Sequence, residues 1–261
     1  MGQKKSNCSL EKIPTGTKEW ADHNINCIKG CYNNCRYCYA MCMAKRFGRA
    51  TNDTWKEMVI REDVVNSKFR KFSGRVMFPS THDIFDLPHF EDACFTVLEK
   101  LLKQDNEVLV TTKPRLSIIK KIDKKFSGYH EQIQFRFTIT SSNDLLLKFW
   151  EPNAPLFQER LKSLEYAYKK GYKTSVSMEP FLDYDPKPLV TSISPYVTES
   201  IWLGIMNYIP QKNLRKSEIQ YYNSIRQNYR NDHIKEIYEI FKDFPKIRWK
   251  DSIKTRMHLI N

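Results

Sequence analysis

Three cysteines stand close together near the start of the chain, at the spacing Cys31-x3-Cys35-x2-Cys38. Thiolates are soft ligands that suit iron–sulfur clusters and zinc. Three thiolates occupy three irons of a [4Fe–4S] cube and leave the fourth iron open to a substrate or cofactor, whereas four thiolates mainly support electron transfer. The spacing therefore predicts a metal centre that takes part in chemistry.

The same triplet could hold zinc, with Cys27 or Cys42 as the fourth ligand of a structural site. Zinc ligands usually come as two separated pairs, and the sequence has no second CxxC pair and no HxxxH. We therefore favour the cluster and assign Cys27, Cys42 and Cys94 to packing. Four of the seven cysteines lie between residues 27 and 38, which favours a reduced cytosolic metalloprotein over a disulfide framework.

Length and composition predict one large α/β domain, because 261 residues with 41% hydrophobic content can build a full core. No apolar run approaches the length of a membrane span, and the N-terminus has no apolar signal region, so we expect a cytoplasmic monomer. The net charge is +13, and residues 211–261 hold 12 Lys and Arg against 6 Asp and Glu. A basic surface favours nucleic acid or an acidic protein partner, although a merely solvated surface is an equal alternative.

Strand and helix patterns alternate along the chain. Helices are predicted at residues 40–47, 90–103, 116–126, 158–170, 216–227 and 233–241, with a further helix capped by Asn143. Strands are predicted at residues 24–28, 75–78, 107–112, 134–140, 174–178, 201–206 and 247–249.

This alternation predicts a parallel sheet with right-handed crossovers, and six βα units fit a partial (βα)6 TIM-like barrel. We divide the chain into an N-terminal extension (1–23), a barrel core (24–210) and a basic helical C-terminal segment (211–261) packed on the core. Sites in such sheets lie at the C-terminal strand ends. The cysteine loop falls there, and so do the polar groups Ser80–Asp83, 111–113, Ser141–Asn143, Glu179 and Asn207.

The cysteine motif resembles the signature of the radical S-adenosylmethionine (SAM) superfamily, which includes an aromatic residue, here Tyr37, before the last cysteine. The chain is more closely similar to the spore photoproduct lyase-like branch. That resemblance rests on Gly30-Cys31, Cys35-Arg-Tyr-Cys38-Tyr39-Ala40, Thr112-Lys113, Glu151-Pro152-Asn-Ala154-Pro155 followed by Arg160-Leu161, and Arg248-Trp249-Lys250-Asp251.

The resemblance implies that Cys31, Cys35 and Cys38 bind a [4Fe–4S] cluster and that SAM chelates its open iron. It places the SAM carboxylate beside Lys113, a role that suits a point charge. The resemblance places Ser80, Thr81, His82 and Asp83 around the amino end and Ser141, Ser142 and Asn143 around the ribose. We add two cofactor-binding candidates: Tyr37, the aromatic residue of the signature, and Glu179, which lies at a strand end but could instead be a buried structural carboxylate. From the residues alone, His82 and Asp83 could equally shape the turn after the second strand. For Glu151 and Arg160 we favour a structural salt bridge without a catalytic role.

Two residues bear on catalysis. Tyr39 matches a tyrosine that the lyase uses in radical relay, whereas Ser80 stands where the lyase has a hydrogen-donating cysteine. An O–H bond is much harder to break homolytically than an S–H bond, so we expect no efficient repair of spore photoproduct.

The resemblance implies a radical SAM enzyme that cleaves SAM reductively to a 5′-deoxyadenosyl radical for hydrogen abstraction. The implied partners are an electron donor such as flavodoxin or ferredoxin and, as the leading substrate, DNA or RNA. A small metabolite or peptide is the alternative substrate. A non-catalytic Fe–S or zinc protein that binds nucleic acid is the alternative of another class.

Overall fold

The computed structural model describes residues 14–212 and 214–259. The strands are β1 (His23–Asn24), β2 (Ile28–Lys29), β3 (Val59–Ile60), β4 (Val76–Phe78), β5 (Val108–Thr112), β6 (Ile133–Thr138), β7 (Lys173–Met178), β8 (Ile201–Leu203) and β9 (Ile247–Trp249). The helices are α1 (Tyr39–Arg46), α2 (Glu62–Val65), α3 (Pro88–Leu102), α4 (Leu116–Lys125), α5 (Asp144–Trp150), α6 (Phe157–Lys169), α7 (Lys187–Ile193), α8 (Ile219–Asn228), α9 (Asn231–Phe241) and α10 (Asp251–Lys254).

Seven strands form one parallel sheet in the order β1-β4-β5-β6-β7-β8-β9, which is also their order along the chain. Because the strands follow one another without reversal, the sheet curls into a half-barrel and all its carboxyl ends meet at one edge. The predicted partial TIM-like barrel is confirmed. Among the described residues, no helix is long and apolar enough to cross a membrane.

The apolar faces of the helices pack on the outside of the sheet. The central strands β5 and β6 are buried on both faces, as expected for a covered parallel sheet. The basic C-terminal segment is continuous with this core, because Tyr222, Ile225 and Phe241 belong to the same buried cluster as the barrel residues. The division of the chain at residue 210 stays a prediction, although β9 contributes the seventh strand from beyond it.

The first strand differs from its predicted range of 24–28. β1 ends at Asn24, and Ile28 and Lys29 pair antiparallel with β3 in a separate two-stranded sheet. The cause lies between them, where the Asn26 side chain hydrogen-bonds the loop after β4 and draws the chain out of the sheet. The strands predicted at 134–140 and 201–206 also end early, at Thr138 and Leu203. The short helices α2, α7 and α10 were not predicted.

Gly30 fixes the path of the chain into the cysteine loop. Its φ angle is +82°, and a Cβ atom there would lie 2.5 Å from the carbonyl oxygen of Trp55. The next amide, of Cys31, donates to that same oxygen at 2.9 Å. Only glycine accommodates both the left-handed backbone and this close approach.

We expect Gly30→Ala to lower the free energy of unfolding by on the order of 3 kcal/mol, because a left-handed backbone and a clash add together. Gly48→Ala is a matched control, since Gly48 has φ +64° but no atom within 4 Å of the added Cβ. The control should lose only about 1 kcal/mol. Urea unfolding of the two variants measures the difference, and equal losses would show that the close approach to Trp55 does not constrain the loop.

Candidate functional site

A large cavity of about 1720 Å³ opens at the carboxyl edge of the half-barrel. Its walls come from the cysteine loop, the start of α1, the loop after β4, and the ends of β5, β6 and β7. Eleven of the fourteen predicted site residues line it: Cys31, Cys35, Tyr37, Cys38, Tyr39, Ser80, Thr81, His82, Asp83, Lys113 and Glu179.

The three predicted ligand cysteines lie together on one side of this cavity. Cys31 and Cys35 are buried, and Cys38 is half-buried at the N-terminus of α1, where its Sγ accepts a hydrogen bond from the Met41 amide. Burial raises the pKa of all three thiols, for Cys35 to about 12 despite the opposing Lys113 cation. Thiolates at this place therefore require a bound cation to stabilise them.

The donor set fits an iron–sulfur cube. Among the described residues, no three His, Cys, Asp or Glu side chains could hold a single metal ion. A cube does not need such convergence, because its three cysteines bind three different irons. Each described cysteine is a free thiol, so disulfides do not compete for these ligands.

Asp83 is the buried centre of the loop after β4. Its carboxylate accepts hydrogen bonds from Asn33 of the cysteine loop, from Thr112 at the end of β5, and from the backbone amide of Lys113 at 3.2 Å. The remaining donor is the Ile84 amide at 2.8 Å. The carboxylate is thus saturated by protein groups, and it joins the cysteine loop to the strand ends.

His82 is also held by the protein. Its Nε2 accepts from the Cys27 amide at 3.1 Å, and its Nδ1 donates to the Asp83 carbonyl at 3.0 Å. Both ring nitrogens are used, which supports the turn-shaping alternative for His82 over a cofactor contact.

Ser80 and Thr81 are positioned by Asn26, a residue that the sequence interpretation missed. The Asn26 Oδ1 accepts from both of their backbone amides, at 2.7 and 2.8 Å, and its Nδ2 donates to the Ser80 hydroxyl at 2.9 Å. Asn26 itself lines the cavity. The side chain of Thr81 is exposed at the rim.

Glu151 and Arg160 form a fully buried ion pair beneath the cysteine loop, as the sequence led us to favour. Glu151 also accepts hydrogen bonds from Tyr37 and Thr140. Burial opposes its ionisation, but the Arg160 and Lys113 cations hold its pKa below the usual range. The hydroxyl of Tyr37 is therefore held by Glu151, and its ring faces the cavity.

Lys113 lies at the end of β5, with its Nζ 5.5 Å from the centre of the Tyr37 ring. Burial would lower its pKa, but the charges of Cys35 and Glu151 outweigh burial and raise it. Its Nζ has no hydrogen-bond acceptor among the described residues. Lys113 is therefore a charged donor beside the cysteines, available to an anionic ligand.

Ser141, Ser142 and Asn143 lie outside the residues that line the cavity. The Ser141 hydroxyl donates to Asp183, the Ser142 amide donates to the same carboxylate, and Asn143 caps α5. Thr138 and Ser177, at the ends of β6 and β7, line the cavity instead.

Comparison with known proteins identifies the family. The model of the Radical SAM superfamily matches residues 25–185, which is more than half of the chain. The chain belongs to the radical SAM superfamily. It is therefore an enzyme of that superfamily, which implies an iron–sulfur cluster and SAM as its cofactors.

Two curated relatives of this radical SAM protein are themselves uncharacterised proteins. One, from Acidianus two-tailed virus, is 29% identical over 62% of this chain, and the chain spans only 55% of that protein's length. The other, from Methanocaldococcus jannaschii, is 28% identical over 85% of this chain and 80% of its own.

Among solved structures, spore photoproduct lyase shares the fold. A variant with bound AdoMet and dinucleoside spore photoproduct has a TM-score of 0.54 and 16% identity over 92% of this chain and 79% of its own. A further lyase variant reaches a TM-score of 0.57 with 15% identity, over 91% of this chain and 78% of its own.

The inner end of the radical SAM protein's cavity contains charged groups that the sequence interpretation missed or left without a role. Lys250, after β9, ion-pairs with Glu19 at 2.6 Å and lies 3.7 Å from Glu179. Burial raises the pKa of Glu179 to about 7, and Lys250 offsets this only in part. Lys250 stands in the quoted Arg248–Asp251 motif, which was the signal that could have found it.

Glu179 should make stability depend on pH. Its folded-state pKa of about 7 exceeds the ordinary 4.5, so the folded protein holds this proton more tightly than the unfolded chain. The resulting stability is fully present below about pH 4.5 and is lost as the pH rises through 7. We therefore expect the wild type to lose about 3 kcal/mol relative to Glu179→Gln between pH 4.5 and 8.

Denaturant unfolding of both proteins across this pH range measures the loss. Glu236→Gln is the matched control, because it removes an exposed carboxylate from α9. If the free energies of unfolding of both variants change with pH as that of the wild type does, the pKa of Glu179 is not raised.

Proposed function

We propose that Cys31, Cys35 and Cys38 bind one [4Fe–4S] cluster and that SAM binds its open iron, with Lys113 holding the SAM carboxylate. The observation that carries this proposal is that three thiols and one half-buried, charged lysine line the same cavity. When bound, the cluster and SAM supply a 5′-deoxyadenosyl radical that abstracts hydrogen from a substrate.

The chain's own residues position and shield these groups. The hydroxyl of Tyr37 is held by Glu151, and its ring centre lies 5.5 Å from the Lys113 Nζ. Ser80 and Thr81 are held by Asn26 at the cavity wall and offer a hydroxyl each. Thr138 and Ser177 supply further hydroxyls at neighbouring strand ends. Tyr39 is 60% exposed at the rim of the cavity. This position suits a radical relay that acts on a bound substrate.

We expect Cys31→Ala, Cys35→Ala and Cys38→Ala each to abolish iron binding, because water cannot replace a thiolate ligand. Cys42→Ala is the control: it should keep the iron, whereas a zinc site using Cys42 as fourth ligand would lose its metal. Iron, zinc and sulfide analysis after anaerobic purification gives the answer. One zinc per chain without iron would overturn the proposed cluster.

For the substrate we propose a nucleic acid. The support is the charge around the cavity, where seven cationic side chains and four carboxylates line the wall. The lyase that shares this fold was solved with a dinucleoside spore photoproduct. The exposed cations Lys29 and Arg49 line the cavity together with the cysteines and Tyr39. They could contact phosphates while a base reaches the cavity.

The C-terminal cations, which the sequence favoured for this contact, are mostly engaged within the chain. Arg226 donates to the Pro210 carbonyl, Arg230 pairs with Asp232, and Lys246 donates to the Val197 carbonyl. We therefore place the proposed phosphate contacts at the cavity mouth and not on the basic segment of residues 211–261.

We expect Lys29→Gln with Arg49→Gln to weaken nucleic-acid binding for all sequences alike. The log–log salt slope should fall by about 0.7–0.9 for each phosphate that the variant no longer neutralises. Arg70→Gln with Lys124→Gln removes two exposed cations away from the cavity and should change neither the affinity nor the slope. Titrations of DNA and RNA, single- and double-stranded, at several salt concentrations provide the measurement. If none binds at low salt while a flavodoxin does, the basic surface serves the electron donor and the nucleic-acid proposal fails.

A further inference from the structure

Arg136 is a buried cation to which no carboxylate of the described residues is bonded. It is only 3% exposed, lies within β6 one step below Thr138, and lines the cavity. Within the described part of the chain its single side-chain hydrogen bond runs from Nε to the Ser175 hydroxyl at 3.0 Å. Among the same residues, Nη1 is buried without an acceptor and no ion pair involves this guanidinium.

Two other arginines near the site have carboxylate partners. Arg160 is fully buried and pairs with Glu151. The half-buried Arg115 also has an Nη1 without an acceptor among the described residues, but it lies 3.9 Å from Asp83 and donates to Asn33 and the Asn153 carbonyl. Burying a charge without a partner is costly. Burial lowers the pKa of Arg136 to about 9, helped by the positive charge of Arg75, and the side chain is still a cation at neutral pH.

Two indole rings lie beside this guanidinium. Its Cζ lies 4.7 Å from the Trp20 ring centre and 5.4 Å from that of Trp202. The rings meet edge to face at 5.9 Å. With Nε committed to Ser175, the terminal nitrogens form the free edge, and this in-plane edge is the one that binds carboxylates and phosphates in a bidentate manner. The Trp20 Nε1, also buried without an acceptor among the described residues, adds a third donor.

Lys250 adds little net charge to this end of the cavity, because it forms an ion pair with Glu19 at 2.6 Å. Its Nζ lies 4.3 Å from the Trp20 ring centre. Glu179, the carboxylate on the cavity wall nearest to Lys250, is about half protonated at neutral pH because burial raises its pKa to about 7. The negative charges of Glu179 and Glu199 therefore offset the charge of Arg136 only in part.

We propose that the inner end of the cavity is an oxyanion-binding subsite in which Arg136 and Trp20 hold a carboxylate or a phosphate group. Lys113 lies beside the cysteines, so this subsite is separate from the one proposed for the SAM carboxylate. Its role as an anchor for the substrate rests on the proposed function, whereas anion binding itself does not. A phosphate would come from a nucleotide, and a carboxylate from a metabolite or peptide.

The test is a thermal unfolding and tryptophan fluorescence titration of the full chain. The probes are inorganic phosphate and malonate, each compared with chloride at equal ionic strength. The melting temperature of the wild type should rise with the logarithm of oxyanion concentration, and the emission of the tryptophans beside Arg136 should change with it. The oxyanion that binds at least tenfold tighter identifies the phosphate or the carboxylate source.

Arg136→Met keeps the length of the side chain but removes the charge. It should bind the preferred oxyanion at least tenfold more weakly and, since it removes a buried cation that is only partly compensated, melt no lower than the ligand-free wild type. Arg136→Gln serves the same purpose if the Met variant does not fold, and Arg70→Met is the exposed control. The proposal would be overturned if the wild type did not respond to either oxyanion. It would also be overturned if the wild type, the Arg136 variants and the control all responded equally to both oxyanions. The titration needs neither iron nor SAM, so its failure and that of the proposed function are distinguishable.

Discussion

Two buried carboxylates hold the cysteine loop, and the site depends on them. Asp83 ties Asn33 of that loop to the end of β5, and Glu151 ties Tyr37 to Arg160 on α6. Removing one partner of such a buried pair leaves an uncompensated charge, which costs more than the pair itself contributes. Replacing any one of these buried groups alone should therefore destabilise the loop. The two carboxylates thus hold the three thiols on one wall of the cavity.

The cavity is chemically divided. One end offers soft thiols, the Lys113 cation and hydroxyls, which suit a metal centre and an amino-acid-like cofactor. The other offers a guanidinium beside two indoles, together with Lys250 and a carboxyl whose pKa is about 7. The N-terminal segment closes this second end, because Trp20 packs on Trp202 and Glu19 pairs with Lys250 and Lys254. Residues distant in sequence thus give the half-barrel a polar interior beyond the cofactor end.

Much of the fold could be predicted because strands with an apolar pattern, such as β5, are separated by amphipathic helices. The pairing of β2 with β3 could not, since two-residue strands carry no periodic signal. The cysteines were readable from their spacing alone. The cofactor role of Ser141–Asn143 stays a prediction, because polar residues at a strand end can bind ligands or cap helices, and Asn143 here caps α5. Arg136 could have been found: it alternates with Phe135 and Phe137, which indicates a polar side chain on the inner face of a strand.

The central claim is that the cysteine wall supports reductive cleavage of SAM. The most direct test is product analysis by chromatography after anaerobic reconstitution, reduction with dithionite and incubation with SAM, comparing the wild type with Cys35→Ala. The account predicts 5′-deoxyadenosine and methionine from the wild type and neither from the variant. Wild-type protein that contains the cluster, is fully reduced and still leaves SAM intact would contradict it.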